Sequence, residues 1–301
     1  MPIVIPKDIP AYKVLREEKI FVMNEKRAFT QDIRPIEIAI LNLMPTKEVT
    51  ETQLMRLLSN SPLQINLTLI GTETYKGKHT PSEHLERFYK PFSEIKNKKF
   101  DGMIITGAPV ENMEFEDVAY WKELEQIFDF AKNNVTSTIF ICWGAQAALY
   151  YYYGIPKYAL PKKLFGVYKH KKLTRHEPLL RGTDDRFYMP HSRYTTIKIE
   201  DVKACKDVIL LSSSKEAGPA IMKSRDNKFI FITGHAEYDR DTLKLEYERD
   251  RERGLNTAPP ENYYVEDNPN EINMRWKSTA NLMYVNWLNY YVYQVTPFTL
   301  E

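Results

Sequence analysis

Short, nearly unbroken apolar runs alternate with amphipathic stretches through the first half of this chain, and that alternation limits its fold more than any other feature. Ile36 to Leu43, Gln64 to Ile70, Phe100 to Gly107 and Ser137 to Cys142 are each too short for a buried helix and read as strands. Between them lie a helix starting near Thr46 with Leu54, Leu57 and Leu58 on one face, and a short helix from Ser82 with a capping-box start. Val118 to Asn134 and Trp143 to Tyr153 complete the helical set. Strands alternating with helices build parallel βαβ units with right-handed crossovers. The fold class is therefore α/β, a mostly parallel central sheet flanked by helices.

Beyond Gly154 the pattern turns β-rich. Strands are predicted over Leu164 to Leu173, Phe187 to Ile199, Asp207 to Ser214, Pro219 to Ser224 and Lys228 to His235. A charged helix from Asp241 to Arg253, a Pro/Asn-rich loop from Thr257 to Asn270 and a long aromatic helix from Lys277 to Val295 follow. The aromatic helix reads either as a cover for the core or as a pairing surface, and a homodimer is the base-rate expectation. Residues 1–35 carry Pro2, Pro6, Pro10 and Pro35 and read as an arm packed on the core, leaving 36–301 as a single domain.

Composition excludes several classes. The 42 basic and 40 acidic residues leave a net charge of +2, which offers neither a nucleic-acid footprint nor an acidic tail. No apolar stretch is long enough to span a membrane, and the start lacks a secretory pattern, so a cytoplasmic enzyme is expected. The two cysteines, Cys142 and Cys205, form no disulfide framework and no CxxC pattern. His170, His176 and His191 show no metal-ligand spacing, and neither a GxxxxGK nor a GxGxxG loop is present, so no metal and no cofactor is expected. Cys205, His79 and His84 suggest no chemistry.

Cys142 ends an apolar strand and precedes Trp143-Gly144-Ala145-Gln146 and an apolar helix. That is the arrangement of a nucleophile elbow. The helix N-terminus favours a thiolate there, and the next amide can face a tetrahedral oxyanion. The plainer reading is a buried, inert cysteine. A second segment bears on the choice. Gly234-His235-Ala236-Glu237 closes a later strand, so His235 can meet the elbow across the sheet top while Glu237 holds its other nitrogen.

FICWGAQAAL resembles the C-x-G-x-Q elbow of class I glutamine amidotransferases, and GHAE resembles their G-H-P-E. Ile141 and Ala236 depart from the glycine and proline common there. The chain is more similar to the homoserine O-acyltransferase family of methionine biosynthesis, which shares that flavodoxin-like fold. The marks are the MPIVIPKDIPA start, ILNLMPTKEVTETQ, GAPVE, CWGAQAAL, GVYKHK, MPHSRY and GHAEYD. The resemblance implies that Cys142 carries the acyl group, His235 accepts the proton and Glu237 orients it. It implies that Lys47 and the Trp143 amide face the oxyanion. Lys163, Ser192 and Arg249 would contact L-homoserine, with Arg249 on its carboxylate, and Glu246 could meet the ammonium from the same helix face.

Acetyl-CoA is the implied co-substrate, because Glu111, after GAPV, stands at the family's acyl-discriminating position. A glutamate there goes with acetyl, and its carboxylate would repel the distal carboxylate of a succinyl group. Succinyl transfer is the alternative within the class; a glutamine amidotransferase subunit or a silent binding module are alternatives outside it. The basic run Tyr168 to His176 is a candidate for the CoA phosphates, although it also reads as a solvated strand.

Overall fold

In the computed structural model, which describes residues 3–18, 22, 24, 34–74 and 81–296, the apolar runs form one large sheet. Its strands are β1 (Ile3–Val4), β2 (Ile36–Leu41), β3 (Ile65–Gly71), β4 (Tyr89–Pro91), β5 (Phe100–Ile105) and β6 (Val135–Ile141). They continue with β7 (Tyr158–Lys172), β8 (Arg186–Thr196), β9 (Val208–Ser214), β10 (Gly218–Ser224) and β11 (Phe229–Ile232). The order is β1-β3-β2-β5-β6-β11-β10-β9-β7-β8, with β4 also on β3. The segment from β1 to β11 is parallel, and the remainder is antiparallel. The expected change from βαβ grammar to β-rich grammar is thus a change of strand direction within one sheet. The N-terminal residues do more than pack on the core, because Ile3 and Val4 pair with β3.

Both faces of the parallel half are covered, which is why its strands read as apolar runs without alternation. Successive side chains still point to opposite sides. Ile38, Ile40, Ile104, Ile139, Ile141, Ile230 and Ile232 share one core with α1 (Pro10–Glu17), α2 (Lys47–Leu58) and the C-terminal helix. Between α2 and β5 come the short α3 (Ser82–Phe88) and α4 (Phe92–Ile95). Ala39, Leu41, Met103, Ile105, Phe140 and Phe231 face the other side, against α5 (Trp121–Asn134) and α6 (Trp143–Tyr153). A third, smaller cluster of Phe165, Tyr238, Leu243, Tyr263 and Trp276 seats the charged helix. After the short α7 (Ile199–Ala204), that helix is α8 (Thr242–Glu252).

Three local expectations differ. The helix from Ser82 has Pro81 at its N-cap and no side-chain cap bond, because Ser82 already lies inside the first turn. The Pro/Asn-rich loop contains a small hairpin, β12 (Tyr264–Val265) with β13 (Asn268–Ile272), turned by Glu266 and Asp267 at positive φ. The aromatic helix is α-helical as α9 (Lys277–Asn286) and then widens into a π-helical segment, Trp287–Tyr293. Its apolar face turns to its own sheet.

Trp287 binds that cover in place. Its indole is fully buried, donates to Ser137 Oγ at 3.0 Å, and packs so close over Gly102 that a Cβ there would lie 2.9 Å from the ring. Trp287→Ala should therefore cost about 3–5 kcal/mol, the range for a large aromatic removed from a packed core. Urea unfolding measures it, and a loss under about 1 kcal/mol would mean the helix is not fastened through this residue.

Candidate active site

The parallel strands β3-β2-β5-β6-β11 have the order of a doubly wound sheet that reverses between β2 and β5. A ligand crevice is expected outside the C-terminal strand ends at such a reversal. A cavity of about 430 Å³ lies there. Met44 to Thr46 follow β2, Gly107 to Pro109 and Glu111 follow β5, Cys142 follows β6 and His235 follows β11, and all line it.

Cys142 has φ 51° and ψ −116°, an unfavourable conformation for a side chain-bearing residue. Its N–H donates to Ile232 O at 2.7 Å, and its carbonyl accepts from Ala145 and Gln146 N–H at 3.0 and 3.1 Å. Gly144 makes the elbow sterically feasible, since a Cβ there would sit 2.6 Å from the Thr106 carbonyl. Gln146 ties the new helix to β8 through Thr195, accepting from its hydroxyl at 2.8 Å. The Trp143 amide begins α6 where an N–H has no intrahelical partner. It lies beside Gly107 and the Cys142 side chain, where an oxyanion would form.

His235 reaches the thiol from β11. Its Nδ1 lies 2.7 Å from Glu237 Oε1, its ring stacks on Tyr238 with centroids 4.2 Å apart, and it lines the same cavity as Cys142, close enough for the two to interact electrostatically. Burial opposes a charge on this imidazole, yet Cys142 and Glu237 together hold it well above the usual histidine range. The three residues expected to act together are together.

The substrate residues also converge. Strand alternation on β8 sends Ser192 and Tyr194 into the cavity and buries His191 and Arg193 behind them. Lys163 Nζ donates to Glu246 Oε1 at 2.8 Å and to Asp250 Oδ2 at 2.9 Å, and Ser192 Oγ donates to Glu246 Oε1 at 2.5 Å. Arg249 pairs with Asp250 at 2.6 Å and lies 3.6 Å from Glu246. Although burial works against it, Glu246 and Asp250 hold the Lys163 ammonium above its usual range. Glu111 does not point into water: its Oε2 accepts from Tyr194 N–H at 2.9 Å on the cavity wall, and burial raises its carboxyl.

Lys47 is placed elsewhere. Its ammonium donates to the Asn42 carbonyl and lies over the Tyr89 ring, lining a separate cavity of about 370 Å³ with Glu73 and Lys90. The oxyanion position expected for its side chain is not met in this geometry, because the buried stem turns toward β4 instead. The basic run 168–176 also lies outside the Cys142 cavity: Tyr168 and His170 are buried, while Lys169, Lys171, Arg175 and His176 are exposed on β7 and the turn after it. Cys205 is half-buried at the end of α7. His79 lies outside the described residues.

Several participants left no signal in the sequence. Asp250 looked like one acid among many on a solvated helix, yet it is buried between Lys163 and Arg249. Arg193 is buried, donates to the carbonyls of Thr195 and Ala217, and brings positive charge near Cys142 and Glu111; burial lowers its pKa to about 10. His84, expected to be inert, is buried with Nε2 3.0 Å from Glu51 Oε1, which also accepts from Tyr89 at 2.6 Å. His170 and His191 meet at 3.0 Å behind Gly234, and burial depresses His170 to about 3 and His191 well below the histidine range.

Comparison with known proteins places this site in a family. A model of the homoserine O-succinyltransferase family matches residues 2–298. The chain is 58% identical over 301 residues to the homoserine O-acetyltransferase of Clostridium acetobutylicum, and 56% identical over 301 residues to that of Lachnoclostridium phytofermentans. Both alignments cover the whole of both chains. The crystal structure of a glutamine amidotransferase from Thermotoga maritima matches with a TM-score of 0.53 at 13% identity, over 85% of this chain and 98% of that one. That likeness concerns the fold.

The placement of Lys47 in the neighbouring cavity can be tested by pH. Burial lowers its pKa from 10.5 to about 8, against the pull of Glu51. Between those values the unfolded chain holds more protons, so the penalty for the buried ammonium is full below pH 8 and relieved toward pH 10.5. The stability of the wild type relative to Lys47→Met should rise by about 2–3 kcal/mol from pH 7 to pH 10. Urea midpoints across that range measure it, and a flat difference would contradict the buried placement.

Proposed function

The chain belongs to the homoserine O-succinyltransferase family, and from that premise we propose that it moves an acetyl group from acetyl-CoA to the hydroxyl of L-homoserine, for methionine biosynthesis. The observation that carries the choice of acyl group is Glu111 on the wall of the Cys142 cavity, held by the Tyr194 amide. A succinyl chain would bring a second carboxylate against it.

The reaction proceeds in two halves through an acyl-cysteine. The Cys142 thiolate attacks the thioester carbonyl, and the negative oxygen is met by the Trp143 amide at the start of α6. The intermediate expels the CoA thiolate, which takes the proton from His235. One thioester has replaced another, so position and oxyanion stabilisation are the main demands. Homoserine then enters, His235 takes the proton from its hydroxyl, and the oxygen attacks the acyl carbon. Collapse expels the Cys142 thiolate and leaves the ester. Glu237 keeps Nδ1 protonated throughout, which aims the opposite nitrogen at the reacting atoms.

Homoserine is a zwitterion, and the Lys163–Glu246–Asp250–Arg249 cluster offers both signs. Arg249 takes the carboxylate, and Glu246 with Ser192 takes the ammonium. Two free thiols agree with a reducing, cytoplasmic setting, and a homodimer is the assembly we infer from the prevalence of two-fold symmetry.

Mixing the protein with acetyl-CoA and succinyl-CoA in competition, without homoserine, should yield an acetyl adduct on Cys142 by intact and peptide mass spectrometry. Cys142→Ser should lose the adduct and nearly all turnover, while Cys205→Ser should retain both. Ammonia release from glutamine in place of acyl trapping would move the protein to the amidotransferases. Glu111→Gly should shift the donor preference toward succinyl-CoA by at least tenfold, the size of removing one like-charge contact at close range. An unchanged preference would sink the assignment of that residue.

A further inference from the structure

The cavity wall formed by α8 continues well past the reacting groups. Thr242, Leu245, Glu246, Arg249, Asp250 and Arg253 all line the cavity, and their spacing places them on one helix face. Thr242 begins the helix four residues after Tyr238, whose ring lies on His235, so this is the deep end. Arg253, just past the last turn, is the outer end. From Thr242 to Arg253 the helix spans roughly 16 Å at 1.5 Å per residue.

The same wall carries exposed aliphatic side chains along its length. Leu245 is 62% exposed, Leu255 50% and Val49 49%, and these three aliphatic residues line the same cavity from α8, the turn after it and the facing α2. Among the described residues Lys163 and Arg249 are both in ion pairs, whereas Arg253 is exposed and has none. A strip of exposed aliphatic surface leading from a nucleophile to an uncommitted guanidinium has the chemistry of a long apolar arm ending in phosphate.

We propose that the pantetheine arm of the acyl-CoA runs along this face of α8, between Val49, Leu245 and Leu255, and that Arg253 binds the CoA phosphates. The proposal rests on the acyl-CoA reading above and adds the donor's path to it. From thioester sulfur to pyrophosphate the arm has about the reach of four extended residues, roughly 14 Å, which matches the helix span. Its gem-dimethyl group meets the aliphatic side chains, and its two amides stay at the open edge of the cleft. This route replaces the basic run 168–176, which lies outside the cavity.

The test compares two donors with the same thioester and arm, acetyl-CoA and S-acetylpantetheine, the second lacking all phosphates. In Arg253→Gln the ratio of kcat/KM for acetyl-CoA to that for S-acetylpantetheine should fall about tenfold, the loss of one charge-assisted contact at a solvated site. The double variant Lys169→Gln, Lys171→Gln should keep the wild-type ratio. Leu245→Asp should raise KM for both donors alike. An unchanged ratio in Arg253→Gln, or a fall in the Lys169/Lys171 variant instead, overturns the phosphate assignment, and KM values in Leu245→Asp unchanged from wild type overturn the path. If wild-type Cys142 is acylated by neither donor, the acyl-CoA reading falls first, which separates the two failures.

Discussion

Everything at the site depends on the backbone of Cys142 being held at positive φ. Such a conformation costs on the order of 1–3 kcal/mol and persists only where its surroundings leave no alternative. Here three constraints act on one residue. The amide is taken by β11 through Ile232, the carbonyl is taken by the first turn of α6, and Gly144 lets that turn sit against the Thr106 carbonyl. Because β5, β6 and β11 are adjacent and parallel, the strain and the histidine share one edge. A register shift of the β6–β11 pairing would separate the thiol from His235.

The charges around the thiol show a second economy of design. Lys163 and Arg249 face Glu246 and Asp250, so two cations and two anions occupy a half-buried cluster with no net charge. Leaving a single member unpaired would cost several kcal/mol. A zwitterionic substrate adds one charge of each sign, so it can exchange partners with this cluster without leaving an ion stranded. Arg193 differs: among the described residues it has no acidic partner in hydrogen-bond contact, and it satisfies two N–H groups on carbonyls. Its charge therefore remains available as a positive field toward Cys142 and Glu111.

The architecture was largely legible because burial on both sheet faces writes apolar runs directly into the sequence. The elbow and the His235-Ala236-Glu237 segment were legible for a related reason, since both sit where an apolar strand stops at or beside a glycine. The details that escaped depend on long-range packing. Asp250 is one acid in a charged helix until β7 brings Lys163 to it. His84 is unremarkable until Glu51 of another helix meets it in the core. Lys47 follows a loop that lines the cavity, yet its side chain turns away because Asn42 supplies a carbonyl on the other side. Nothing local encodes that turn. The hairpin in the Pro/Asn-rich segment depends on two acidic residues taking positive φ, a conformation those residue types permit but do not announce.

One helix face serving both substrates bears on why the proposed reaction takes two steps. The proposed homoserine contacts are Glu246 and Arg249, and the proposed donor path uses Leu245 and Arg253, so in that reading the two ligands share a wall in a cavity of about 430 Å³. Direct transfer would need both bound at once, with the hydroxyl placed beside the thioester while the pantetheine arm still fills the cleft. A covalent acyl-cysteine removes that conflict. In the proposed sequence the acyl group stays on Cys142, the donor departs along α8, and the emptied face then presents its ion cluster to the amino acid. The strained elbow is what allows it, because it holds the sulfur at the deep end where both ligands must present their reacting atoms.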